Sequence, residues 1–132
     1  AANYLVNELK DSYPILYTGN AGLVGHECIL DLNGIAAESG VTATDVAKRL
    51  LDYGMHAPTI YFPLVVPECL LIEPTETEEK ATLDAFVEAL ASIGEEAAAD
   101  IAYVKGAPYT QPIRRLDDVR AARQLDLRYV PA

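Results

Sequence analysis

The sequence has no tryptophan and only one methionine, two phenylalanines and two cysteines in 132 residues. So few thiols cannot supply the dense disulfide framework on which very small secreted domains rely, and stability has to come from a hydrophobic core. Cys28 and Cys69 each stand in an apolar stretch that suits a small buried side chain. A reduced cytoplasmic protein is therefore expected, with a single disulfide as the alternative. No apolar run approaches the roughly 20 residues needed to span a bilayer. The first ten residues lack a basic start followed by an apolar stretch, so no signal peptide is expected. Basic side chains are scarce too. Ten lysines and arginines face twenty acids, a net charge of -10 that repels a phosphate backbone and disfavours nucleic-acid binding.

Hydrophobic residues make up 51% of the chain and charged residues 23%, which suits one folded domain and argues against disorder. The charge is uneven. Nine acids and one base fall between Glu73 and Asp100, whereas six of the ten bases lie between Lys105 and Arg128. A solvated acidic helix followed by a basic tail lying on another surface is the expected arrangement.

Ala2, Leu5, Val6 and Leu9 have helical spacing, ended by Tyr13-Pro14. Ile15 to Tyr17 and His26 to Leu32 read as a hairpin turned at Gly19 to Gly22. Thr42 and Asp45 have capping-box spacing, Val46, Leu50 and Tyr53 follow on one helix face, and Gly54 is the expected left-handed stop. Thr59 to Phe62 and Cys69 to Glu73 are β-rich, with Pro63 and Pro67 marking a bend or an edge. Thr75 and Glu78 suggest a second capping box before a long helix carrying Leu83, Phe86, Val87 and Leu90. After Asp100 the chain is expected to run as an extended arm with one short helical turn near Leu116 to Arg123. The fold class is thus α+β, two layers, with a small mostly antiparallel sheet and helices on one face. Residues 1–104 form the domain and residues 105–132 the basic tail.

No self-sufficient catalytic constellation stands out. Gly19, Gly22 and Gly25 lack dinucleotide-loop spacing and lie between strands, where a turn explains them. His26, Cys28, His56 and Cys69 show no metal-ligand spacing, so no metal is assigned. His26 reads as a hydrogen-bonded strand residue. His56, between Gly54 and Pro58, stands on a constrained connection of the kind that carries functional side chains, and either a site-lining or a structural role suits it.

Residues 45–90 nevertheless combine Asp52-Tyr53-Gly54, His56-Ala57-Pro58-Thr59, Phe62-Pro63 and Glu73-Pro74-Thr75-Glu76 before an acidic helix. This pattern resembles the C-terminal domain of the glycine decarboxylase family, the P-protein of the glycine cleavage system. Ala2-Asn3-Tyr4-Leu5 and His26-Glu27 upstream fit the same family. Ala107-Pro108-Tyr109-Thr110, Arg114-Arg115-Leu116-Asp117 and Ala121-Ala122-Arg123 resemble the end of the second subunit of its two-subunit form. The resemblance implies the small C-terminal domain of a fold-type I pyridoxal-phosphate enzyme. That enzyme decarboxylates glycine and passes the aminomethyl group to the lipoyl arm of the H-protein. It implies that the cofactor lysine lies outside this chain, since Lys10, Lys48, Lys80 and Lys105 stand in no such motif. The isolated domain should then be inactive, with no catalytic or cofactor-binding residue of its own. The expected partners are the large cofactor-binding domain of the same polypeptide, the other P-protein subunit, the lipoylated H-protein and glycine. By the same resemblance His56, Thr59, Glu73 and Thr75, together with His26, are candidates for the substrate entrance. The alternatives are the small domain of another pyridoxal-phosphate enzyme, such as an aminotransferase, and a free-standing amino-acid-binding module.

Overall fold

The structure is a computed structural model and describes residues 1–130. Helix α1 (Ala2–Leu9) buries Ala2, Leu5, Val6 and Leu9, the stripe expected from their spacing. Tyr13 follows and donates its buried hydroxyl to the Leu90 carbonyl at 2.7 Å, and burial pushes its pKa up to about 12. Strands β1 (Ile15–Leu16) and β2 (Cys28–Asp31) form the expected antiparallel hairpin, with Ile15 opposite Leu30.

Helix α2 (Asn33–Ser39) was not foreseen, because it buries no residue and so carries no apolar stripe; Gly40 ends it at φ +71°. Helix α3 (Ala43–Asp52) has the anticipated capping box, in which Thr42 N–H donates to the Asp45 carboxylate at 2.9 Å and the Thr42 hydroxyl accepts from Asp45 N–H. Its start receives further partners from Glu68, which accepts from Ala43 N–H at 2.7 Å, and from Tyr61, whose hydroxyl lies 2.8 Å from Thr44 Oγ1. Gly54 at φ +73° turns the chain out of the helix, a conformation that costs little only without a Cβ.

Strands β3 (Thr59–Ile60) and β4 (Cys69–Ile72) complete a four-stranded antiparallel sheet in the order β1-β2-β4-β3. Helix α4 (Lys80–Ala99) starts later than its sequence suggests. The box at Thr75 does not form; Glu79 occupies the N-cap and Thr75 Oγ1 pairs with Thr77 Oγ1 at 2.8 Å. Residues 75–80 offer no apolar side chain to bury, and the first core anchor is Leu83, so packing sets the start of the helix rather than the capping motif. Helix α5 (Ile101–Gly106) replaces the first part of the expected extended arm. Asp100 breaks α4 and caps α5 through Tyr103 N–H, and Val104 pins the short helix to the core. Helix α6 (Asp118–Arg123) is the anticipated turn in the tail. No helix among the described residues is long and apolar enough to cross a membrane.

Strand alternation sorts the core into two clusters. Cys28, Leu30, Leu70 and Ile72 meet the helix layer through Leu5, Leu9, Leu50, Leu90 and Ile93, so the helices do lie on one face. Ile29, Cys69 and Leu71 point to the other face, where Val66 and Leu16 cover them. The two cysteines thus sit on opposite faces of the sheet as free, buried thiols.

One polar cluster ties the helices together. Arg49 on α3 donates Nε and Nη2 to the two Glu96 oxygens, each at 2.8 Å, and Nη1 to Asp52 at 3.0 Å. Its guanidinium stacks over the rings of Tyr103 and Tyr53 at 4.6 and 4.9 Å. The second Asp52 oxygen accepts from Tyr109 N–H, Thr110 N–H and the Thr110 hydroxyl at 2.6, 2.8 and 2.9 Å. The Arg49 hydrogen bonds hold Glu96 below its ordinary pKa against the opposing effect of burial. Burial would raise Asp52, but the Thr110 and Tyr109 donors and Arg49 together lower it. Both carboxylates therefore contribute stability that is present above about pH 4, the ordinary carboxylate value, and lost as pH falls through their depressed values. Arg49→Met keeps the stem and strands two acids, which should cost about 3 kcal/mol at pH 7 and lower Tm by roughly 10 °C. Thermal unfolding at pH 7 and pH 3 should show the difference between the two proteins shrinking in acid.

Candidate functional site at one end of the sheet

The antiparallel register brings three chain segments to one end of the sheet. Cys28 opposes Ile72, so His26 and Glu27, which precede β2, adjoin Glu73 and Pro74, which follow β4. Thr59 opposes Leu71, so the α3–β3 connection that carries Met55, His56 and Pro58 reaches the same end. The first turn of α4 and Leu5 of α1 close it from the helix side. Between them lies a cleft of about 250 Å³. Leu5, Met55, Pro58, Ile72, Leu83 and Phe86 give it apolar walls, and His56, Glu73, Thr75, Glu78 and Thr82 supply its polar atoms.

Of the five site candidates in the sequence, His56, Glu73 and Thr75 line this cleft; Glu73 and Thr75 are neighbours in the chain, and the fold brings His56 to them from 17 positions before Glu73. His26 stands just outside, with Nε2 at 3.9 Å from Glu73 Oε1 and 3.7 Å from Glu27 Oε2. It borders a second, smaller cleft of about 170 Å³ lined in part by Leu16, Tyr17, Val24 and Ile29. Thr59 is exposed on β3 and is not among the lining residues of the first cleft. Glu27, Glu78 and Thr82 were not singled out. Glu27 follows His26 in the family-like pattern, but its convergence with Glu73 depends on the β2–β4 register, which no local spacing displays.

The late start of α4 matters here. Residues 73–79 run free of helix between β4 and α4, and Glu78, which the expected box would put in the first helical turn, lines the cleft from this connection with Glu73 and Thr75. Glu73, Thr75 and His56 are all exposed, so the cleft has a wet rim over a drier apolar floor. Such a cleft can position a small molecule with an apolar body and a polar end, and can keep water from the part held against the floor.

Among the described residues, His26, Glu27 and Glu73 are the one group whose imidazole and carboxylate donors all lie within 4.8 Å of one another. The His26 and Glu73 side chains are largely solvated, 82% and 54% exposed. Cys28 and Cys69 do not join them. Burial, followed by the Glu27 charge, pushes the Cys28 thiol up to about 11, and burial also raises Cys69, so neither is poised as a thiolate.

The cleft holds neither lysine nor arginine, and the four lysines of the sequence, Lys10, Lys48, Lys80 and Lys105, all lie outside its lining. Lys80 is bound to Asp84 and the Tyr4 hydroxyl, and Lys105 to the Gly40 carbonyl. A phosphorylated aldehyde cofactor needs an amine to bond and cationic or amide donors for its phosphate. The residues of this cleft do not fit that group.

Comparison with known proteins gives these features a family. Residues 1–114 match the family described as glycine dehydrogenase, C-terminal domain. The chain is 57% identical over 132 residues to a probable glycine dehydrogenase (decarboxylating) subunit 2 of Thiobacillus denitrificans, covering 99% of this chain and 27% of that protein. Proteins of the same name from Legionella pneumophila and Nitrosospira multiformis are each 58% identical, over 129 and 127 residues, with 97% and 96% of this chain and 26% and 25% of theirs covered. The chain thus spans about a quarter of the length of these relatives. Matched over most of its residues, the chain belongs to the family of glycine dehydrogenase C-terminal domains.

Proposed function

We propose that this chain is the C-terminal domain of the second subunit of a two-subunit glycine dehydrogenase (decarboxylating). That enzyme would use pyridoxal phosphate to release carbon dioxide from glycine and would pass the aminomethyl group to the lipoyl arm of the H-protein. The observation that carries the reading is the meeting of family-like motifs, separate in sequence, around one cleft at the sheet end. The unbroken likeness to proteins called subunit 2 supports the assignment to that subunit. Two free thiols on opposite faces of the sheet suit a reducing cytoplasm.

The cofactor would be held by the large domain of the same polypeptide, as the family resemblance implies, and the absence of lysine and arginine from the lining of this cleft is consistent with that. This domain would supply a wall of the entrance to it. Leu5, Ile72, Leu83 and Phe86 would exclude water, while His56, Glu73 and Thr75 would orient the incoming glycine or carrier arm. His26 would extend that rim, with Thr59 on the adjoining strand. These are positioning roles, and bond making and breaking would occur outside the chain.

Two outcomes follow. The isolated chain mixed with pyridoxal phosphate should develop no absorbance band of a lysine-bound cofactor and should release no carbon dioxide from glycine. A specific cofactor bond to one of its four lysines would contradict the reading. In the complete enzyme, His56→Ala and Glu73→Gln should each raise KM for glycine or for the H-protein about fivefold to tenfold, the loss of roughly one hydrogen bond, with a smaller change in kcat. Steady-state kinetics in which neither KM moves would remove the cleft from the entrance.

A further inference from the structure

Residues 107–115 form a strap that is fastened at both ends of α3. At the helix start, Arg115 Nη2 pairs with Asp45 Oδ1 at 2.7 Å, while Asp45 Oδ2 serves the capping box. At the helix end, Asp52 Oδ1 accepts from Tyr109 N–H, Thr110 N–H and the Thr110 hydroxyl, and Gln111 Nε2 donates to the Leu51 carbonyl at 3.1 Å. Asp45 and Asp52 stand seven residues apart, about 10 Å along a helix. Ala107 and Pro108 are buried at the head of the strap, and Arg115 Nε donates back to the Ala107 carbonyl at 2.8 Å. The match to the family domain runs to residue 114, so nearly all of the strap belongs to the matched domain.

The helix end that the strap grips is the end from which the chain enters the cleft. The last four carbonyls of a helix have no partner within it, and here two of them hold the exit turn together. The Leu50 carbonyl accepts from Tyr53 N–H and Met55 N–H, and the Leu51 carbonyl accepts from Gly54 N–H, each at 3.1 Å. Gln111 donates to that same Leu51 carbonyl, and the Thr110 hydroxyl to the carboxylate of the next residue, Asp52. Met55 and His56 follow at once and line the cleft. The His56 imidazole is exposed and, among the described residues, makes no hydrogen bond, so the backbone leaving α3 is what brings it to the rim. Thr110 and Gln111 are not lining residues themselves, and any influence they have on the cleft passes through this turn.

We propose that Thr110 and Gln111 are positioning residues for the cleft, acting through the Tyr53–Gly54 turn on Met55 and His56. Loss of either donor would loosen the turn and widen the range of positions that His56 samples. The incoming substrate would then be held less well, while chemistry located outside the chain would be untouched. This inference rests on the entrance reading above, and its test separates the two.

In the complete enzyme, Gln111→Ala and Thr110→Val are each made alone and in a His56→Ala background. Amide hydrogen exchange reads the turn directly, whatever the cleft does. Gly54 N–H and Met55 N–H should exchange about threefold faster or more in both variants, with the amides of β2 and β4 unchanged. In steady-state kinetics, each single variant should raise KM by about threefold with kcat unchanged, for the substrate whose KM His56→Ala raises. In the His56→Ala background neither should raise it further, because the residue through which they act is gone. Unaltered exchange at Gly54 and Met55, unaltered KM in the single variants, or an equal rise in both backgrounds would overturn the positioning role and leave the entrance reading standing. Unaltered KM in His56→Ala itself would overturn the entrance reading and the positioning role with it.

Discussion

The guanidinium of Arg49 is the interaction on which the remaining polar architecture depends. It sits on α3 and grips Glu96 of α4 with two parallel hydrogen bonds, an arrangement that fixes both distance and orientation. Tyr53 donates to the same Glu96 carboxylate, and Tyr103 of α5 stacks on the cation. Asp52, neutralised on one oxygen by Arg49, is free to use the other as a cap for Tyr109 and Thr110. Three helices and the first part of the tail are thereby referred to one side chain. Removing Arg49 would leave two carboxylates without their cation, whereas removing an apolar residue elsewhere would enlarge one cavity.

That cluster lies at the C-terminal end of α3, and the connection leaving this end leads to the cleft. Gly54 turns the chain, and Met55, His56 and Pro58 come next. The site is therefore positioned twice, by the sheet register that aligns His26 and Glu27 with Glu73, and by the helix layer that fixes where α3 ends. The same helix carries Asp45 and Asp52, which hold the tail down before it departs at Arg115. The helix thus serves both the cleft and the anchorage of the tail.

What was legible in the sequence had a local cause. Leu5, Val6 and Leu9 announce α1 by their spacing, and Thr42, Asp45 and Gly54 delimit α3 by chemistry that acts within a few residues. Two short helices were missed because their determinants are not periodic: α2 buries nothing, and α5 is held by Val104 and an Asp100 cap. Thr75 and Glu78 carried a correct motif whose helix lacked apolar residues to bury, so the core anchor Leu83 determined the start instead. At the site, the family-like motifs pointed to five residues, of which His56, Glu73 and Thr75 line the cleft and His26 and Thr59 do not, whereas Glu27, Glu78 and Thr82 depend on pairing across the sheet and on the delayed start of α4. Arg49 and Glu96 are 47 positions apart, and no spacing rule connects them.

The central claim is that this domain supplies one wall of the entrance to a cofactor held elsewhere in its polypeptide. The most direct measurement is a crystal structure of the complete two-subunit enzyme with pyridoxal phosphate bound. The account predicts that the cleft lined by His56, Glu73 and Thr75 opens onto the passage leading to the cofactor, with the apolar floor turned inward. A structure in which that cleft faces bulk solvent, on the side of the domain away from the cofactor, would contradict it.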